Sequence, residues 1–398
     1  LAVTSSAAQA SPRAIAAGQP TRRLLAFYLP QFHPIPENDA WWGPGFTEWT
    51  NVTRARPLFR GHQQPQLPTE LGFYDLRVPE VREAQAELAR EHGVHGFCWY
   101  HYWFNGRRLL ERPFDEVLRS GRPDFPFCLC WANENWTRTW DGGDTDVLVP
   151  QAHGEEDDRA HLRWLAEAFS DPRYIRVDGR PVFLVYHAAE LPDPRRTIET
   201  WRHEASRLGI PDPYLLRVES HVDDRGDPIA LGFDAAVEFQ PDGLRIGPRV
   251  AVFDLPGAWI DPRWYANKAR RAYWRFLVPG HPYRANRVHD YRVMVEKALE
   301  PQPRDHLRYR CVNPGWDNSP RRRSDAKIMV GSTPDLYREW LTEILRRFQP
   351  PTPDENLVFV NAWNEWAEGN HLEPDRRWGR AYLEATRDAF AAAGVVAG

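Results

Sequence analysis

A single (β/α)8 (TIM) barrel with long βα loops is the α/β fold class this sequence predicts, and three observations predict it. Eight short runs rich in β-branched and aromatic residues recur along the 398 residues, as strands buried on both faces do. Segments with apolar residues at helical spacing lie between them. No Gly-rich phosphate loop follows the first run, which argues against the rival, a doubly wound open sheet. In such a barrel, functional groups gather at the C-terminal ends of the strands.

Residues 1–23 are rich in Ala, Ser, Pro and Gln and read as a disordered lead or linker. Ala8-Gln9-Ala10 also has the small-residue pattern of a signal-peptide cleavage site. One domain is expected over 24–398. Its first strand is Leu24 to Leu29, followed by a long aromatic loop. Pro79 opens a helix with Val81, Ala84, Leu88 and Ala89 on one face, closed by Gly93. Strand two is Val94 to Tyr100, a short helix spans Pro113 to Ser120, and strand three is Phe127 to Ala132. A second long loop runs to about Gly154, before a helix holding Leu162, Leu165 and Phe169.

The Asp178-Gly179 turn leads into strand four, Val182 to Tyr186. A helix from Thr197 to Leu208, strand five (Tyr214 to Val218) and strand six (Ala235 to Phe239) follow. The insertion Gln240 to Asp305 is expected to hold two helices, and strand seven is Arg308 to Val312. Thr333-Pro334 caps an amphipathic helix with Leu336, Tyr337, Trp340, Leu341, Ile344, Leu345 and Phe348 at helical spacing. Strand eight is Leu357 to Asn361, and a last helix runs from about Asp375 to near Gly394.

Composition narrows the function classes. A net charge of -4 does not suit a nucleic-acid or membrane-surface binder, and no apolar run reaches the roughly 20 residues of a membrane span. Cys98, Cys128, Cys130 and Cys311 fall inside expected strands without metal spacing, so they read as small buried hydrophobes. Many of the 18 Trp lie in Gly/Pro/Asn-rich loops, where indoles either pack the rim or lie against sugar rings. There is no His-Glu-x-x-His, P-loop or Gly-x-Ser-x-Gly, and no cofactor is expected. Asp141-Gly-Gly-Asp-Thr-Asp146 lacks EF-hand spacing and reads as a polar turn. His33, His62 and His101 read as hydrogen-bonding groups and not as a metal triad.

The strand ends carry the chemistry. The first strand offers Tyr28, Gln31 and His33, then Trp41, Trp42, Glu48 and Trp49. The second offers Trp99, Tyr100, His101 and Tyr102; the third offers Asn133, Glu134, Asn135, Trp136, Trp140 and Asp141. The eighth ends in Trp363, Asn364, Glu365, Trp366, Glu368 and His371. Glycoside hydrolysis needs an acid for the leaving oxygen and a carboxylate to make or be the nucleophile. Glu365 and Glu368 are three apart, so one helical turn puts them on one face. The same spacing would also suit acids that merely complement a helix dipole.

Four segments together resemble the WbsX-type family, named glycosyltransferase WbsX or glycoside hydrolase family 99-like. They are Phe27 to Asp39 with Trp41 to Asn51; His62-Gln-Gln-Pro65 with Leu71 to Leu76; Cys130 to Trp136; and Trp363-Asn-Glu-Trp-Ala-Glu-Gly369. The resemblance implies a (β/α)8 barrel related to endo-acting, retaining α-mannosidases that need no metal. It implies Glu365 as the base for a sugar 2-hydroxyl, forming a 1,2-anhydro sugar, and Glu368 as the acid. Ala367 and Asn370 depart from the His and Thr of the stricter family, which leaves the sugar open. No Asp-x-Asp stands in a Rossmann-type frame. Three readings follow: a glycoside hydrolase on an α-linked glycan or bacterial polysaccharide, a surface-polysaccharide glycosyltransferase, or a non-catalytic carbohydrate-binding barrel. Compartment and oligomeric state are not legible.

Overall fold

The computed structural model describes residues 20–59, 61–138, 143–250, 286–322 and 324–398. Trp140, Asp141, the signal-like Ala8-Gln9-Ala10 with the rest of the lead up to residue 19, and the insertion's centre therefore lie outside the described residues.

Eight parallel strand positions follow one another in chain order and close on themselves. They are β1 (Thr21–Tyr28), β2 (Val94–Phe104), β3 (Phe127–Trp131), β4 (Arg180–Val185), β5 (Tyr214–Glu219), β6 (Ala235–Glu238), β7 (Arg308–Tyr309 and Cys311–Val312) and β8 (Leu357–Val360). β1 pairs with both β2 and β8. β7 closes the ring in two halves: Arg308–Tyr309 bonds to β6 and Cys311–Val312 to β8. Between the halves, Arg310 donates from Nε to Glu238 Oε2 at 2.7 Å. The α/β barrel is the fold.

Two helices, α1 (Pro36–Trp42) and α2 (Glu48–Arg54), stand in the first βα loop before α3 (Pro79–Glu91). The outer layer continues with α4 (Arg112–Ser120), α5 (Glu155–Ser170), α6 (Pro194–Leu208), α7 (Tyr291–Leu299), α8 (Pro334–Arg347) and α9 (Ala381–Ala393). Thr333 caps α8 as expected, its hydroxyl accepting the Leu336 N–H.

Some elements differ from the sequence expectation. β1 begins earlier, because Thr21 and Arg22 pair with Val396 and Ala397 near the end of the chain. β2 outruns the barrel and folds back as Arg107–Leu109 through Asn105 and Gly106, both at positive φ. Asn-Gly is the signal for such a two-residue hairpin turn, and it was present in the sequence. A second hairpin pairs Trp136–Arg138 with Gly143–Val149. Between β5 and β6 there are short 3-10 turns at Val222–Arg225 and Ile229–Leu231 in place of a barrel helix. The last helix starts at Ala381, since the Asp375 carboxylate binds the Arg377 and Trp378 N–H groups and holds a turn there. The described part of the insertion contributes Arg287–Asp290, paired with Lys327–Val330, and α7.

The two-residue period of the strands sorts the aromatics. Phe27 packs in the lumen against Tyr100, Phe239 and Phe359. Its neighbour Tyr28 points the other way, donating its hydroxyl to Gln85 on α3. The four cysteines are free and buried.

Candidate active site

Just past β8 the chain makes a small knot. Asn364–Glu365 pairs antiparallel with Asn370–His371, and Trp366–Glu368 forms one 3-10 turn between them. In a 3-10 turn, positions i and i+3 eclipse, so Glu365 and Glu368 come to one side. The turn is too short to build a helix dipole that acids would serve. Gly369 closes it at φ +57, where a Cβ would meet Gln66 Nε2 at 2.8 Å and the Asp317 backbone N at 3.1 Å.

Both acids are tied to a single cation. Arg321, in the loop after β7, donates to Glu365 Oε2 at 2.7 Å and reaches Glu368 Oε1 at 2.8 Å. Its Nε donates to the wholly buried Glu48 at 3.1 Å. The same Glu48 oxygen accepts the Ala367 N–H at 3.1 Å, so one carboxylate fixes both the arginine and the 3-10 turn. Burial pushes the pKa values of Glu365 and Glu368 up from the ordinary carboxylate range; Arg321 opposes the rise and Glu48 adds to it. Three acids sharing one cation hold a proton readily.

A cavity of about 280 Å³ opens on this pair. Among the expected site residues, Gln31, Trp42, Tyr100, Tyr102, Glu134 and Trp136 line it beside Glu365 and Glu368. Strand alternation explains which β2 residues do: Tyr100 and Tyr102 face the cavity, while Trp99 packs on Tyr28 and Phe114, and His101 stacks on Trp164.

Other expected contacts do structural work behind the cavity. Tyr28 binds Gln85, His33 sits on the Pro30 carbonyl, and Asn133 exchanges two hydrogen bonds with the His187 backbone. Asn364 clamps both backbone groups of Leu29, tying the β8 loop to the end of β1. Trp363 packs against Phe97 and Trp49 donates to the Tyr74 carbonyl. Trp366 stacks on His371, 3.7 Å between centroids, and donates to Glu373 at 2.6 Å. Glu373 also accepts from Tyr74 and Gln85, and burial raises it to about 7. Glu48 stands one step back, reaching the acids through Arg321. The geometry therefore separates a lining set from a supporting set.

Sequence reasoning missed Tyr186, Phe239, Trp316 and Arg321, which also line the cavity. Tyr186 and Phe239 close strands four and six, so counting strand ends would have found them. Arg321 had a weaker signal, the run Pro320-Arg-Arg-Arg323 after strand seven. A larger cavity of about 410 Å³ lies on the far side of Gly369, bordered by His62, Gln64, Asp317 and His371. Trp316 borders both, but the acid pair opens only on the smaller one. Among the described residues, no helix is long and apolar enough to cross a membrane.

The model of the family described as glycosyltransferase WbsX matches residues 24–386. Two curated relatives, each named "Uncharacterized protein WxcX", come from Xanthomonas campestris pv. campestris strains B100 and ATCC 33913. They are 46% identical over 375 and 380 residues, covering 94% of this chain and 50% of each relative. The chain thus spans about half the length of the curated relatives it matches. Among solved structures, a "glycoside hydrolase-like protein" aligns at TM-score 0.55 and 15% identity, over 96% of this chain and 97% of its own. The GH99 endo-alpha-mannosidase from Bacteroides thetaiotaomicron aligns at TM-score 0.51 and 14% identity, over 93% and 96%. Those two likenesses agree with the barrel; the family match extends over nearly the whole chain, which belongs to the glycosyltransferase WbsX family of glycan-acting proteins.

Proposed function

We propose that this chain is an endo-acting, retaining glycoside hydrolase that cleaves an α-linked glycan or bacterial polysaccharide. The observation that carries the reading is the pair Glu365 and Glu368, side by side on one cavity and bridged by one guanidinium. A planar guanidinium holding one oxygen of each acid keeps them close. Glu365 takes the proton of the sugar 2-hydroxyl, O2 closes on C1, and the C1–O bond to the leaving sugar breaks. Glu368 supplies the proton to that leaving oxygen. Water then attacks C1, giving a proton to Glu368, while the C1–O2 bond breaks and Glu365 returns a proton to O2. Raised pKa values suit both tasks, since a proton must sit on one acid and leave the other near neutral pH.

The test is digestion of a panel of α-linked glycans and bacterial polysaccharides, wild type beside Glu368→Gln, with products read by mass and by the first anomer released. Cleavage by the wild type, lost in the variant, with retained anomer, is the expected result. Cleavage that persists in both Glu365→Gln and Glu368→Gln would sink the reading. A surface-polysaccharide transferase is the second reading, favoured by the description of the family. It requires an activated donor, so a rise in Tm with nucleotide sugars and no cleavage of any glycan would replace the first reading with the second.

A further inference from the structure

Three side chains apart from the acid pair converge where β3, β4 and β5 end: Glu134, His187 and His221. His187 Nδ1 lies 3.3 Å from Glu134 Oε1, and His221 Nε2 lies 3.6 Å from the same oxygen. The potential donor atoms all fall within 4.8 Å of one another. The two imidazoles are stacked, 4.0 Å between centroids and 12° between planes.

Behind each ring stands a second polar group. His187 Nε2 is buried and faces Oδ2 of the buried Asp224 at 3.7 Å, and neither atom has a hydrogen-bond partner. The other Asp224 oxygen accepts the Ala189 N–H at 3.0 Å. His221 Nδ1 lies 3.0 Å from Ser220 Oγ, whose own proton goes to the Tyr186 carbonyl at 2.6 Å. Ser220 Oγ is therefore the acceptor for His221 Nδ1. A proton on His187 Nδ1 would make its 3.3 Å contact a hydrogen bond to Glu134; in the tautomer that a metal takes, with protons on His187 Nε2 and His221 Nδ1, the remaining ring nitrogens turn lone pairs toward one carboxylate oxygen. Lone pairs so placed repel unless a cation lies among them. A carboxylate behind a ligating imidazole is the usual way a metal site fixes ring orientation. Two histidines, one glutamate and an open position form a donor set suited to zinc.

We propose that Glu134, His187 and His221 bind one divalent transition-metal ion of the zinc class, oriented by Asp224 and Ser220. Glu190, whose carboxylate is 4.0 Å from His187 Nδ1, stands at the edge of the site. Glu134 also lines the catalytic cavity, so the site borders the space where a ligand oxygen could complete the coordination.

The test reads binding and stands apart from any glycan cleavage. The full chain, free of a histidine tag and stripped with EDTA, is titrated calorimetrically with ZnCl2, and Co2+ is used for its visible spectrum. One equivalent should bind at micromolar affinity or tighter, with Co2+ bands of nitrogen and oxygen ligation. His221→Ala and Glu134→Gln change partly exposed residues and should each weaken Zn2+ binding roughly 10-fold or more with an unchanged circular dichroism spectrum. Asp224→Asn should weaken it by about 10–100-fold. Absence of stoichiometric Zn2+ and Co2+ binding, or binding unaltered by both His221→Ala and Glu134→Gln, overturns the proposal. The imidazoles then carry extra protons and form plain ion pairs with Glu134.

Discussion

Between β5, β6 and β7, Glu219 and Glu238 meet Arg217, Arg308 and Arg310; past β8, Glu48, Glu365 and Glu368 share Arg321. Both clusters are buried, yet Glu238 moves one way and Glu365 and Glu368 the other. Burial pushes Glu238 up, but Arg310 and Arg308 outweigh it and hold the carboxyl below its ordinary range. Burial also pushes Glu365 and Glu368 up, and one shared arginine does not reverse it. Where cations outnumber acids the cluster is a fixed ion network; where acids outnumber cations it can store and release protons.

The comparison can be broken at the acids first. Glu365→Gln or Glu368→Gln should lower kcat by about 10³-fold or more, some 4 kcal/mol of barrel-borne catalysis, with Tm little changed. Turnover on the substrate identified by the panel measures it. Next in size, Arg308→Met leaves buried Glu219 with only the longer Arg217 contact and should cost about 3–5 kcal/mol in urea unfolding, with activity per folded molecule intact. A cost under 1 kcal/mol would mean that the ion network is ornamental.

Arg321→Met should lower kcat/KM by about 10²-fold, near 2.7 kcal/mol, and move the ascending limb of the pH profile upward, because the acids lose the cation that favours their charged form. An unmoved limb would show that Arg321 only positions the loop. The smallest effect belongs to Glu373, whose pKa in the folded state is raised to about 7 by burial. A raised acid means that the folded state holds a proton which the unfolded chain releases above about pH 4.3. Its contribution is therefore full at low pH and falls as pH rises through 7. Glu373→Gln should flatten the decline of Tm between pH 5 and 8; an unchanged slope would remove Glu373 from the account.

Much of this molecule follows from local pattern. The short apolar runs mark the strands because all-parallel sheets are buried on both faces. Thr333-Pro334 marks α8 because a hydroxyl and a missing N–H suit a helix start. Glu365 and Glu368 were legible as a pair because their spacing works in either an α or a 3-10 turn. Strand alternation could also have been applied to Trp99 and His101, which point outward while Tyr100 and Tyr102 point in.

What only the tertiary structure decided is which distant groups meet. Arg321 lies 273 residues from Glu48 and 44 from Glu365, and no periodicity links them. Closing the ring brings the loop after β7 beside the loop after β8, and there one guanidinium finds three carboxylates. The sequence determined which side chains stand at the strand ends. Barrel closure and strand twist determined which of them share a cavity, and so which acids keep their protons.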